Sequence, residues 1–207
     1  WIWLDCLSQK YKRPLTLSSI PRKEWDELAG QGFDLIWLMG IWKRSPGARK
    51  CALVDPNLKK HYREVFGDVW NEENIVGSPY AIYDYTLDPR LGQPEELAKL
   101  KDQLHKAGLG LIVDFVPNHL ALDHPWTLSK PEYFIRVTAE EARRNPGLFF
   151  KTSAGLFFAH GKDPYFDPWR DTVQINFFSE QARQQAVNEL LRIADLADGV
   201  RCDMAML

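Results

Sequence analysis

Cysteine is scarce. The 207 residues hold three, Cys6, Cys51 and Cys202, too few and too far apart for a disulfide framework or a Cys-based zinc site, and they fit a reducing compartment. An excess of one charge is lacking too. Against 28 Asp and Glu stand 26 Lys and Arg, a formal net charge of −2, so no electrostatic attraction to nucleic acid or an anionic membrane is expected. Long apolar runs are missing. One of the longest, LGLIV at 109–113, falls far short of the roughly 20 residues a membrane-crossing helix needs. No basic stretch followed by an apolar one opens the chain, so no secretory signal is visible; with the scattered cysteines this predicts a cytoplasmic protein. No Gly-rich turn follows the first apolar run, which counts against a dinucleotide-binding fold. Internal repeats and low-complexity tracts are also absent.

Aromatic residues, by contrast, make up 13% of the chain, eight of them Trp. Many fall in loop-like text: Trp42, Trp70, Tyr80, Tyr83, Tyr85, Trp126, Phe149, Phe150, Tyr165, Phe166 and Trp169. Either these loops bury their own aromatics, or some of the rings line a groove for a ligand with flat apolar faces, such as a sugar.

Apolar runs at 1–7 (WIWLDCL), 33–40 (FDLIWLMG), 109–116 (LGLIVDFV) and 199–207 (GVRCDMAML) predict four buried strands. Between them lie amphipathic helices. One begins at Pro21, with Trp25, Leu28 and Ala29 at helical spacing before Gly30 and Gly32. A second spans 93–108, with Leu97, Leu100 and Leu104 as its buried stripe. A third follows the capping residue Ser179 to about Ala197. The polar text from 41 to 80 predicts a short helix near 56–66, and 119–178 reads as irregular. Continuous apolar strands alternating with helices predict a parallel sheet with helical crossovers, either doubly wound or a (β/α)8 barrel.

Charges on the strands point to a site. Residues two apart on a strand share a face. Arg201 and Asp203 are therefore expected to look into the barrel together, with Cys202 turned to the helices, and Asp114 is expected to point inward from the third strand. Bare buried charges are costly unless paired. A structural salt bridge is one reading and an arginine holding a carboxylate ionised for chemistry is the other; with three charged groups both can hold, one aspartate anchoring the arginine and the other doing chemistry. Asn118 and His119 follow at the strand end, either as a turn with an exposed imidazole or as ligand-facing groups.

YAIYDYTLDPRLG at 80–92, DFVPNH at 114–119 and GVRCDMAML at 199–207, in this order, resemble signature regions of the α-amylase family of glycoside hydrolases. The resemblance implies a partial (β/α)8 TIM barrel of about the first four βα units. Residues 1–118 would begin the barrel, 119–178 would form an inserted cleft wall, and 179–207 would continue to the fourth strand. By position it makes Asp203 the nucleophile and Arg201 its orienting cation. His119 would hydrogen-bond the sugar and Tyr80 would stack on it. Asp114 would complete the substrate site as the partner of Arg201. Asn118 is a candidate calcium ligand; no cofactor is otherwise required. The partner would be an oligosaccharide, and the activity a retaining α-glycosidase on α-glucans or α-glucosides. A transglycosylase, or a non-catalytic sugar-binding or scaffold relative, are the alternatives.

The chain departs from the family pattern in three respects. The family's Glu acid and its third carboxylate belong to later strands, which these residues do not include. Met206 and Leu207 stand where many amylases carry Lys and His, against ordinary starch endo-cleavage. Gln174 stands where the family's calcium-binding Asp is expected, and a neutral carbonyl is a poorer ligand. The 207-residue chain by itself is therefore predicted to have no glycosidase activity, and its open strand edges to favour self-association. Release of reducing sugar from maltooligosaccharides by the purified chain, or a sharply melting monomer in sedimentation, would contradict these two expectations respectively.

Overall fold

In a computed structural model describing residues 2–67 and 72–205, the chain runs α1 (Ile2–Lys10), α2 (Arg22–Gly30), β1 (Leu35–Leu38), β2 (Trp42–Arg44), α3 (Pro46–Val54), α4 (Pro56–Phe66) and β3 (Ile82–Leu87). It continues through α5 (Glu96–Lys106), β4 (Gly110–Phe115), β5 (His119–Ala121), α6 (Trp126–Ser129), β6 (Arg136–Val137), α7 (Ala139–Arg144), β7 (Phe149–Lys151), β8 (Phe157–Ala159), β9 (Thr172–Gln174), α8 (Glu180–Leu196) and β10 (Gly199–Cys202). It divides into two compact units. One comprises residues 1–43, 85–115 and 187–202; the other comprises 44–84, 116–186 and 203–207.

The first unit is built on a three-stranded sheet in the order β1-β4-β10, parallel throughout. Leu111 and Val113 share one face of the central strand and are fully buried, as are Leu97, Leu100 and Leu104 on α5. The α5 C-terminus runs directly into β4, with the Leu109 N–H donating to the Leu104 carbonyl at 2.9 Å. Asp198 fastens the start of β10 to this pair. Its carboxylate accepts the Leu111 N–H at 2.8 Å and lies 2.8 Å from His105 Nε2 and 3.5 Å from Lys101 Nζ. Burial pushes the Asp198 carboxyl up, but these bonds and charges outweigh it and hold the carboxyl below its ordinary range.

The first expected strand is a helix. Trp1 lies outside the described residues; Ile2–Lys10 forms α1. Leu4 and Leu7, three apart, are buried on one helical face, and Ser8 Oγ donates to the Leu4 carbonyl. A short apolar run has no periodicity long enough to separate helix from strand, and here the tertiary contacts decided. Trp3 packs on Trp25 of α2 at 5.4 Å, while Lys10 and Tyr11 both bond to Glu24 in the first turn of α2. The parallel sheet therefore has three strands among the described residues rather than four, and no closed barrel. The face of β1 carrying Leu35 and Trp37 stays exposed.

The second unit corrects the expectation of an irregular 119–178. β5 pairs antiparallel with β9, and β6-β8-β7 form a second antiparallel sheet around Phe158. Strands of two or three residues are too short to show a period of two in the sequence. Phe134 meets Phe158 edge-on at 5.8 Å. The 41–80 text holds two helices, each with Pro in its first turn. Ser45 caps α3 and Asp55 caps the expected α4. Asp123 reinforces the first cap, accepting from Ser45 Oγ and from the Gly47 N–H at 2.7 Å.

Leu100→Ala in α5 removes a fully buried side chain and is expected to cost about 2–5 kcal/mol. Leu191→Ala, at a position 60% exposed, should stay within roughly 0.5 kcal/mol of wild type. Urea midpoints of the two variants check the contrast.

Candidate active site

In the first unit two of the expected charged residues, Asp114 and Arg201, meet at the C-terminal end of the sheet. Parallel pairing sets Arg201 beside Asp114 in register. Asp114 is buried; its Oδ1 lies 3.5 Å from Arg201 Nη1 and its Oδ2 accepts the Gly40 N–H at 3.3 Å. The Asp114 carbonyl accepts the Trp42 indole N–H at 2.6 Å. Burial pushes the Asp114 carboxyl above its ordinary range, while the Gly40 N–H, then the Arg201 charge and the Trp37 side chain, pull it back. The Arg201 guanidinium sits 5.3 Å from the Trp37 ring centroid, a cation–π contact. Arg201 is thus held on two sides, by the Asp114 carboxylate and the Trp37 ring. Cys202 is exposed, and β10 ends there; Asp203 follows in a turn and is buried. Met204 takes a left-handed backbone with φ 51°. Met206 and Leu207 lie outside the described residues, as does Trp70.

The second unit brings together Tyr80, Asn118 and His119. The expected alternative of an exposed imidazole does not hold, because Asn118 and His119 are both buried. Position 119 opens β5, opposite Gln174 on β9. A ring N–H of His119 donates to the Tyr80 carbonyl, and its Nδ1 lies 3.3 Å from Asn118 Nδ2. Burial lowers the His119 pKa from 6.5 to about 4, despite the opposing Tyr80 bond, so the ring is neutral near pH 7. The Trp169 ring packs on it at 4.9 Å.

Trp37, Gly40 and Gly161 were not foreseen as site residues, and Trp169 was named only among the loop aromatics. Alternation along β1 places Trp37 and Leu35 on one face, a signal available in the sequence but without a stated partner. Gly161 had no signal. A Cβ there would stand 2.5 Å from Thr172 Oγ1 and 2.9 Å from His119 Cβ, so only glycine lets this backbone pass behind the imidazole. Of the loop aromatics, Trp42 and Tyr85 are core, whereas Tyr165 and Phe166 are largely exposed.

Among the described residues no group of three or more acidic, His or Cys side chains is arranged to hold a metal ion, and no helix is long and apolar enough to cross a membrane.

Comparison with known proteins follows the same pattern. A family model described as alpha amylase, catalytic domain, matches residues 24–176, which include Tyr80, Asp114, Asn118 and His119 but not Arg201 or Asp203. The chain is 28% identical over 137 residues to alpha-amylase 3 of Dictyoglomus thermophilum, covering 61% of this chain and 26% of that protein. It is 42% identical over 128 residues to an amino acid transporter heavy chain of Rattus norvegicus, covering 55% and 19% respectively. Among solved structures, an alpha-amylase from Lactobacillus plantarum superposes with a TM-score of 0.62 at 22% identity, over 92% of this chain and 35% of that one. The chain thus spans about a quarter or less of these curated relatives and about a third of the solved structure.

Two outcomes are expected. Gly161→Ala should destabilise the protein by about 1–3 kcal/mol in urea titration, since Thr172 and His119 must both shift. The histidines give a pH dependence whose sign follows from their direction. His119 and His124 are both lowered to about 4 by burial, so between roughly pH 6.5 and 4 the unfolded chain binds protons that the folded chain does not. Stability is therefore flat above about pH 7 from these groups and falls on acidification, by at most about 1.4 kcal/mol per pH unit for each histidine. His119→Gln, which keeps a donor for Tyr80, should flatten this slope in urea midpoints measured across that window.

Proposed function

Because the chain belongs to the alpha-amylase family, its match lying in the catalytic domain, we propose that it is part of a retaining enzyme acting on α-glucans or α-glucosides. The observation that carries the reading is the family match over residues 24–176, which takes in the Asp114–His119 block. In this reading Asp203 attacks the anomeric carbon and forms a covalent glycosyl-enzyme, which water or a second sugar then releases. Arg201 orients the nucleophile. Its own position is supported by Asp114 on one side and Trp37 on the other. Tyr80 offers a flat ring to the apolar face of the sugar. His119, held to the Tyr80 carbonyl, sets where that segment lies. A neutral imidazole suits this place, because it spends its one N–H on the Tyr80 carbonyl and adds no charge beside a developing oxocarbenium ion. The general acid is assigned to a Glu on a later strand of the same barrel.

The higher identity to a transporter heavy chain favours a second reading, a sugar-binding or scaffold relative that kept the barrel. One experiment separates them. In the full-length protein, assayed on a panel of α-glucosides and maltooligosaccharides, Asp203→Ala is expected to lower kcat by about 10⁴-fold or more. Tyr80→Ala should raise KM more than it lowers kcat, since it removes a stacking surface. A wild type that cleaves nothing on the panel, or an Asp203→Ala variant at full rate, overturns the enzyme reading.

A further inference from the structure

The contact between β5 and β9 contains a closed chain of amides. Gln174 Nε2 donates to Asn118 Oδ1 at 2.8 Å and to the Asn118 carbonyl at 2.9 Å. Gln174 Oε1 accepts the Lys162 N–H at 3.2 Å and faces Asn118 Nδ2 at 3.5 Å. Asn118 Nδ2 also lies 3.3 Å from His119 Nδ1, and the His119 ring donates to the Tyr80 carbonyl.

The two ends of this chain are main-chain groups whose polarity cannot be exchanged. The Lys162 N–H can only donate, so Gln174 must present its oxygen there. Its NH₂ is then forced toward Asn118, and both Asn118 oxygens are acceptors for it. Asn118 in turn presents its NH₂ to His119 Nδ1. That nitrogen must be the unprotonated one, which leaves Nε2 as the donor to Tyr80. Side-chain amides and imidazoles are ambiguous in isolation, but here each assignment fixes the next.

The α-amylase resemblance makes Asn118 a calcium ligand. Calcium takes roughly six to eight oxygen ligands, several of them carboxylate. Here a donor NH₂ group points at both Asn118 oxygens, and an ion at that place would meet N–H hydrogens rather than lone pairs. No acidic cluster accompanies Asn118 among the described residues. These residues do not fit the ion.

We propose that the Gln174 side chain takes the place of a bound cation in this corner, closing it as an uncharged clamp that also sets the tautomer and orientation of His119. Gln174 is thus a positioning residue acting through Asn118. The inference does not depend on the activity proposed above, because every contact it uses lies in the β5–β9 segment and its neighbours.

The test uses the intact protein with thermal melting and calcium titration calorimetry, in chelator and in excess calcium. Wild type should melt at the same temperature in both and give no binding heat assignable to this site. Gln174→Glu places carboxylate oxygens against the Asn118 oxygens. It should melt about 5 °C lower in chelator and recover with calcium. Gln174→Leu should be lowered similarly in both media. Long-range ¹⁵N–¹H spectra of wild type should show His119 protonated at Nε2, and the Nδ1 resonance should shift in Gln174→Leu, which releases the Asn118 amide facing it. Three results would overturn the proposal: a wild type stabilised by calcium through this site, a Gln174→Glu variant as stable as wild type in chelator, or His119 protonated at Nδ1. Should Gln174→Glu fail to fold, the wild-type calorimetry and the tautomer still decide.

Discussion

The buried carboxylate of Asp114 is the constraint on which the sheet end depends. It sits on the central strand of three, so whatever satisfies it must come from the strands on either side. The Gly40 N–H reaches it from beyond β1 and Arg201 from β10, while the main-chain carbonyl of the same residue takes the Trp42 indole. A buried carboxylate without partners costs several kcal/mol. Each partner therefore answers a need that burial creates, and the geometry of the strand ends follows from it. Burial still wins the contest over the proton, since the carboxyl remains above its ordinary range even with an arginine beside it.

The corner around β5 and β9 in the second unit solves a related problem without charge. Three buried polar residues there, Asn118, His119 and Thr172, are satisfied by amides, hydroxyls and main chain. Gly161 gives up a side chain so that its N–H can reach Thr172 Oγ1 at 3.0 Å while its backbone passes close behind His119. Neutral networks of this kind have one low-energy arrangement when every donor has an acceptor, and they lose it when a single member changes. That makes the corner rigid and, being uncharged, insensitive to the salt that screens ion pairs.

Legibility differed between elements for physical reasons. The helix at 96–106 was readable because its apolar stripe repeats over three turns and glycine closes it; the helix at 56–66 because Asp55 and Pro56 mark its start. Residues 1–7 were misread because seven mostly apolar residues satisfy both periods. The strands of 119–178 were missed because two or three residues show no period at all. In the candidate site, Asp114 and Arg201 were legible from alternation and from the cost of burying charge, and the register pairs them. Trp37 beneath Arg201, Trp169 against His119 and glycine at 161 were not, since each matters only through a neighbour distant in the chain.

The sequence by itself determined the α/β class, the main helices, the family and the residue types gathered near the strand ends, because periodicity, capping and the cost of bare charge act locally. Tertiary structure alone decided that the first apolar run is a helix, that Arg201 is shared between Asp114 and Trp37, and that His119 is buried and neutral. It also decided that Gln174 and Asn118 close on each other as amides. Those outcomes depend on which groups are brought within about 3–5 Å across tens of residues, and hydrogen-bond polarity and desolvation take effect only at that range.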